Sequence, residues 1–119
     1  MSFVIEKIEK RSVEMPESIT LLGQECEGVP VLEEEYYGDV TYAETWIHYT
    51  CDVDGVKWGV YASLSGDPGE EKRVYACVMR GEDFIEDLRA PADDPVKIEE
   101  MLSRLCDIAA DYKNEEAEM

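Results

Sequence analysis

Between Ser12 and Val56 the chain has no lysine and no arginine. That gap is 45 residues long and carries 11 carboxylates. A surface made from it repels phosphate backbones and anionic lipid head groups, which argues against direct binding to nucleic acid or membrane. Histidine is scarcer still, with His48 alone in the chain. A two-histidine metal site and a histidine pair sharing acid–base work are therefore excluded. No CxxC pair occurs among the four cysteines at 26, 51, 77 and 106. This removes the zinc-ribbon and thioredoxin patterns and leaves reduced core or half-buried thiols as the reading. No Gly-rich phosphate cradle precedes a helix, so nucleotide binding has no motif. No apolar run reaches the length of a membrane span, and MSFVIEKIEK is charged too early for a signal peptide. The expectation is a soluble, cytoplasmic protein.

What is present is acid and a modest core. The 119 residues are expected to form a single small domain, and 45% of them are apolar, enough to build one. Against 29 acids stand 11 bases, a formal charge of −18. The imbalance is uneven: Met1 to Arg11 is nearly neutral, and Lys57 to Met119 holds 16 acids and 8 bases. Such a field attracts basic protein surfaces.

The stretch CDVDGV, Cys51 to Val56, invites two catalytic or metal readings. One is the nucleophile loop of a haloacid-dehalogenase-type phosphatase; the other is a calcium loop. The phosphatase needs a strand–loop–helix after the aspartates, but an alternating strand follows directly. An EF-hand loop places Gly at position 6 and Glu at 12, whereas counting from Asp52 gives Gly at 4 and Ser63 at 12. A turn explains more. Asp54-Gly55 is a favoured two-residue type I′ loop. The register it sets pairs Val53 with Val56, Cys51 with Trp58, Tyr49 with Val60 and Ile47 with Ala62. One face of the ribbon is then wholly apolar, and a one-residue slip would destroy it. Asp52–Lys57, Thr50–Gly59, His48–Tyr61 and Trp46–Ser63 fall on the other face.

Elsewhere, RVYACVM (73–79) reads as a strand with Val74, Ala76 and Val78 on one side. DFIEDLRA is ambiguous between strand and loop, SGDPGEEK (65–72) is a loop, and VPVLEEEYYGDVTY contains a strand near the acidic cluster. FVIEKIEKRSVEM fits neither helical nor strand period. The clearest helix spans about 95–112, with Asp94 as N-cap and Pro95 in the first turn. Ile98, Leu102, Leu105, Ala109 and Tyr112 form its apolar stripe, flanked by Met101 and Ile108. Residues 113–119 have nothing to bury and read as a disordered tail. The fold class expected is α+β: an antiparallel meander of three to five strands, packed on one face by the C-terminal helix.

The segments EEEYYGDV, WGVYASL and FIEDLRAPADDPVKIEEMLSRLCD together resemble a small uncharacterised family of Firmicutes proteins. That family has a Tyr-Gly-Val or Tyr-Gly-Ile strand signal and a helix of the V-x-x-L-x-x-x-L type, and the resemblance covers roughly residues 31–112. The resemblance implies a bacterial or phage origin and brings no activity with it.

No catalytic set emerges from the residues. Cys51 lies on the ribbon face opposite His48, which breaks the Cys–His pair a thiol nucleophile needs. The chain is therefore read as non-enzymatic, with no cofactor and no metal. The strongest interaction signal is EEEYYGD. Glu33, Glu34, Glu35 and Asp39, with Glu44 nearby, concentrate charge, and Tyr36 and Tyr37 add rigid amphipathic contact area. The function expected is a small acidic binding protein that occupies a basic surface on a nucleic-acid-binding partner. Its carboxylates would stand in for phosphates, as in anti-restriction and anti-CRISPR inhibitors of phage. The alternative is a housekeeping bacterial domain whose acidity serves only solubility.

Overall fold

The structure is a computed structural model and describes residues 15–37, 40–65 and 73–117. Six strands form one antiparallel sheet in chain order: β1 (Ser18–Leu21), β2 (Gln24–Tyr37), β3 (Val40–Val53), β4 (Val56–Ser65), β5 (Arg73–Arg80) and β6 (Asp83–Pro91). One helix, α1 (Pro95–Ala117), follows and packs across one face. The fold is the expected α+β meander, with six strands where three to five were expected.

The β3–β4 hairpin has the predicted register on both faces, from Val53↔Val56 to Trp46↔Ser63. Asp54 and Gly55 both adopt positive φ, at 53° and 79°, as a type I′ turn demands. The apolar face it creates continues into β5 and β6. Across the sheet run Ile47, Ala62, Ala76 and Leu88 in one row and Tyr49, Val60 and Val78 in the next. The alanines in the first row leave room for a helix. Ile98, Met101, Leu102, Leu105 and Ala109 of α1 fill it and are buried.

The helix starts as predicted. Asp94 caps it by accepting the Lys97 amide on Oδ1 at 3.1 Å, and Pro95 sits in the first turn. Its end differs from expectation, because α1 runs past residue 112 to Ala117, through the segment read as a tail. Partners for that last turn come from β4 and β5. Tyr112 meets Trp58 edge-on at 6.1 Å, and Arg80, lying over Trp58, places Nε 2.8 Å from Glu116 Oε1. The pair is ionic, without the alignment of a hydrogen bond.

β1 and its turn into β2 were not predicted. Leu22 and Gly23 form the turn with φ of 51° and 79°. A leucine in that conformation costs about 1–2 kcal/mol; its side chain packs against the core in return. The β1–β2 ladder ends for a covalent reason. Gly28 still donates its amide to the Glu17 carbonyl at 2.8 Å. The next amide on that side belongs to Pro30, which has no N–H to give.

Candidate interaction surface

The sheet face opposite α1 has no covering element among the described residues. The registers lay two rows of side chains across it. One row is Val31, Trp46, Ser63, Tyr75 and Arg89; the other is Val29, His48, Tyr61, Cys77 and Asp87. Trp46 and Tyr75 meet edge-on at 6.1 Å across Ser63, and His48 meets Tyr61 edge-on at 4.7 Å. The Arg89 guanidinium stacks 4.9 Å above the Tyr75 ring, so this face already holds one cation on an aromatic surface. Val29 is 55% exposed at the β2 end of its row.

This face is preorganised. Gly59 admits the Tyr61 ring, since a Cβ there would lie 2.5 Å from the ring's Cζ and hydroxyl. Burial pushes the Tyr75 hydroxyl up to about 12, aided by Cys77 and by Asp87, with which it hydrogen-bonds. It stays a neutral donor. Burial lowers His48 despite the opposing pull of Glu33, so the imidazole is neutral at pH 7. Aromatic and histidine side chains locked by neighbours lose little entropy on contact.

The acidic residues singled out from sequence lie on the extension of β2 and β3. β4 accompanies β3 only as far as Trp46↔Ser63, whereas the β2–β3 ladder continues to Tyr37↔Val40. Residues 32–37 and 40–45 are thus a two-stranded arm. Glu33 is exposed on it, with Glu44 as its direct partner in the ladder, and Glu34, Glu35, Tyr36 and Tyr37 pair with Ala43, Tyr42, Thr41 and Val40. Asp39 lies outside the described residues. Register therefore brings Glu33, Glu34, Glu35, Tyr36, Tyr37 and Glu44 onto one structural unit. A two-stranded ribbon is marginal by itself in water, and like charges directly opposed weaken it further.

Charge follows the topology. In a meander, neighbours in sequence are neighbours in space, so the base-free stretch becomes a base-free half of the sheet. No lysine or arginine lies on β1, β2 or β3. The cations of the described residues, from Lys57 to Lys113, belong to β4, β5, β6 and α1.

Sites of other kinds are sparse. Among the described residues no group of three His, Cys, Asp or Glu is placed to hold a metal ion. A shallow groove between β1 and α1, lined by Ile19, Thr20, Leu102, Cys106, Glu99 and Asp107, contains no base and no histidine. No helix of the described residues is long and apolar enough to cross a membrane. Comparison with protein-family models, with curated proteins and with solved structures finds no match.

The aromatic rows were missed in the sequence, although half of their signal was legible. The β3–β4 register already placed Trp46, His48 and Tyr61 on one face. What it lacked was Tyr75 and Arg89, because the 66–72 connection fixes no register for β5.

Proposed function

We propose that this protein is a small, non-enzymatic acidic binding protein that occupies a basic surface of a nucleic-acid-binding partner. Its β1–β3 half presents carboxylates where a nucleic acid would present phosphates, in the manner of phage anti-restriction and anti-CRISPR inhibitors. The observation that carries this reading is the base-free half of the sheet with the acidic arm extending from it. Glu33 and its neighbours provide long-range attraction, and Trp46, Tyr61 and Tyr75 provide rigid area for arginine and apolar groups to desolvate against.

The division of labour has kinetic consequences. Exposed charges act over ~8–10 Å at physiological ionic strength, so association slows steeply with salt. Aromatic contacts act after docking and set the dissociation rate. The test is a salt series on a partner recovered from host lysate, with a DNA duplex as competitor. Glu33→Lys, Glu34→Lys and Glu35→Lys combined should slow association, while Trp46→Ala should speed dissociation. Binding that ignores salt, competitor and charge reversal would reject mimicry and leave the acidity as a solubility device.

A further inference from the structure

Cys26 on β2, Cys51 on β3 and Cys106 on α1 are distant in sequence and converge at one end of the core. All are free thiols, Cys26 buried and the other two partly so. The β2–β3 ladder ends at Gly28↔Tyr49, and the same register continued two residues further sets Cys26 opposite Cys51. The strands remain side by side there, because Gln24 Nε2 donates to the Asp52 carbonyl at 3.1 Å. Cys51 lies near enough to Cys26 for the two thiols to influence each other. Each also reaches a backbone carbonyl of the β1–β2 corner, Cys51 that of Leu21 at 3.8 Å and Cys26 that of Gln24 at 3.6 Å. Both thiols therefore occupy one small space on the helix-facing side, held by the same corner.

We propose that Cys26 and Cys51 form a cross-strand dithiol that a peroxide oxidises to a disulfide, joining β2 to β3 at the end of their ladder opposite the acidic arm. Cys51 is the more accessible thiol and reacts first. Its thiolate attacks one peroxide oxygen, the O–O bond breaks, and a sulfenic acid forms as hydroxide leaves and is protonated to water. The Cys26 sulfur then displaces the sulfenic oxygen, forming the S–S bond and releasing a second water. Two thiols lose two protons and two electrons, and the peroxide is reduced to two waters. Adjacent antiparallel strands bring the Cβ atoms of facing residues close enough for such a bond. Cys106 approaches from the helix rather than along a ladder, and Cys77 lies on the opposite face of the sheet, so neither replaces this pairing. The inference does not rest on the partner reading above.

The experiment treats the full chain with hydrogen peroxide at mildly alkaline pH and measures intact mass and free thiols. The expected result is loss of two hydrogens, with titratable thiols falling from four to two. Trypsin cannot locate the bond, because no Lys or Arg separates the two cysteines. Cleavage at glutamate can, since Glu27, Glu33 and Glu44 lie between them. A Cys26 fragment joined to a Cys51 fragment until reductant is added supports the proposal. Cys106→Ser should leave the bond intact, and Cys26→Ser should leave a sulfenic acid on Cys51 that dimedone traps. Mass gain by sulfinic acid without cross-linking would overturn the proposal, as would a bond to Cys106 or to another chain. Should the variants not fold, the native protein's mass and fragments decide alone.

Discussion

Gly59 and Tyr61 provide a test of how the open face is built. They are two apart on β4, both directed away from α1, and the Tyr61 ring lies where a Gly59 side chain would be. In Gly59→Ala the new methyl would sit 2.5 Å from the ring, so Tyr61 must swing out and abandon its edge contact with His48. Overpacking of this kind costs about 1–3 kcal/mol, against about 0.5–1 kcal/mol gained by removing glycine from a strand. The net expectation is a loss of about 1–2 kcal/mol, roughly 4–8 °C in Tm for a domain of this size. Removing the ring reverses the sign. In a Tyr61→Thr background, Gly59→Ala should be neutral or stabilising by about 0.5 kcal/mol, because only the backbone benefit remains. The coupling between the two sites is then about 1–2.5 kcal/mol, measurable by a double-mutant cycle in urea. Equal effects of Gly59→Ala in both backgrounds would refute the steric reasoning and with it the preorganised aromatic row.

Tyr49 is fully buried and donates to the Pro16 carbonyl at 2.6 Å, tying the segment before β1 to the centre of the sheet. Tyr49→Phe should cost about 1–2 kcal/mol in urea unfolding, mostly from the acceptor left unpaired. Gly55→Ala forces a side chain into positive φ at the β3–β4 turn and should lower stability by about 1–2 kcal/mol; an unchanged melting curve would show that the turn relaxes. The thiols set an alkaline limit. Burial pushes Cys51 and Cys106 from 9.0 up to about 11, which favours the neutral folded form. Their contribution is full below pH 9 and is lost as pH rises through 9 to 11, and Tyr49, pushed up to about 12, adds to the loss at the upper end. Tm should therefore fall above pH 9 across that window; a flat profile there would contradict the burial of these groups.

How much of this was readable from the sequence depended on whether local chemistry and tertiary packing agreed. At Asp54-Gly55 they agreed, since turn preference and the all-apolar face select the same register. At Asp94-Pro95 the cap and the apolar stripe agreed as well. At Leu22-Gly23 they conflicted, because leucine disfavours the turn it adopts and only its packing compensates. β6 was ambiguous because its charged and apolar residues, as in Glu86-Asp87-Leu88-Arg89, do not alternate cleanly. Its pairing with β5 carries a register shift between Val78 and Met79 that disturbs the period. The end of α1 depended on Arg80 and Trp58, more than thirty residues upstream. The acidic arm was visible as composition, but its extension beyond β4 was not, since ladder length belongs to the partner strand.

The way α1 lies across the sheet has a consequence for how the chain folds. Every strand pairs with the one before it, so the sheet grows by short-range hairpins that form quickly as the chain lengthens. The helix is different. It is made after all six strands, and it touches β1 as well as β5 and β6, closing contacts across most of the chain. Until it docks, Val60, Ala62, Val74, Ala76 and Val78 form a bare apolar sheet face beside unpaired strand edges. A sheet face bared in this way favours aggregation, and docking of the helix that Asp94 and Pro95 begin is what covers it. Weakening the cap should therefore reduce the yield of folded protein in cells more than it lowers the melting temperature of what does fold.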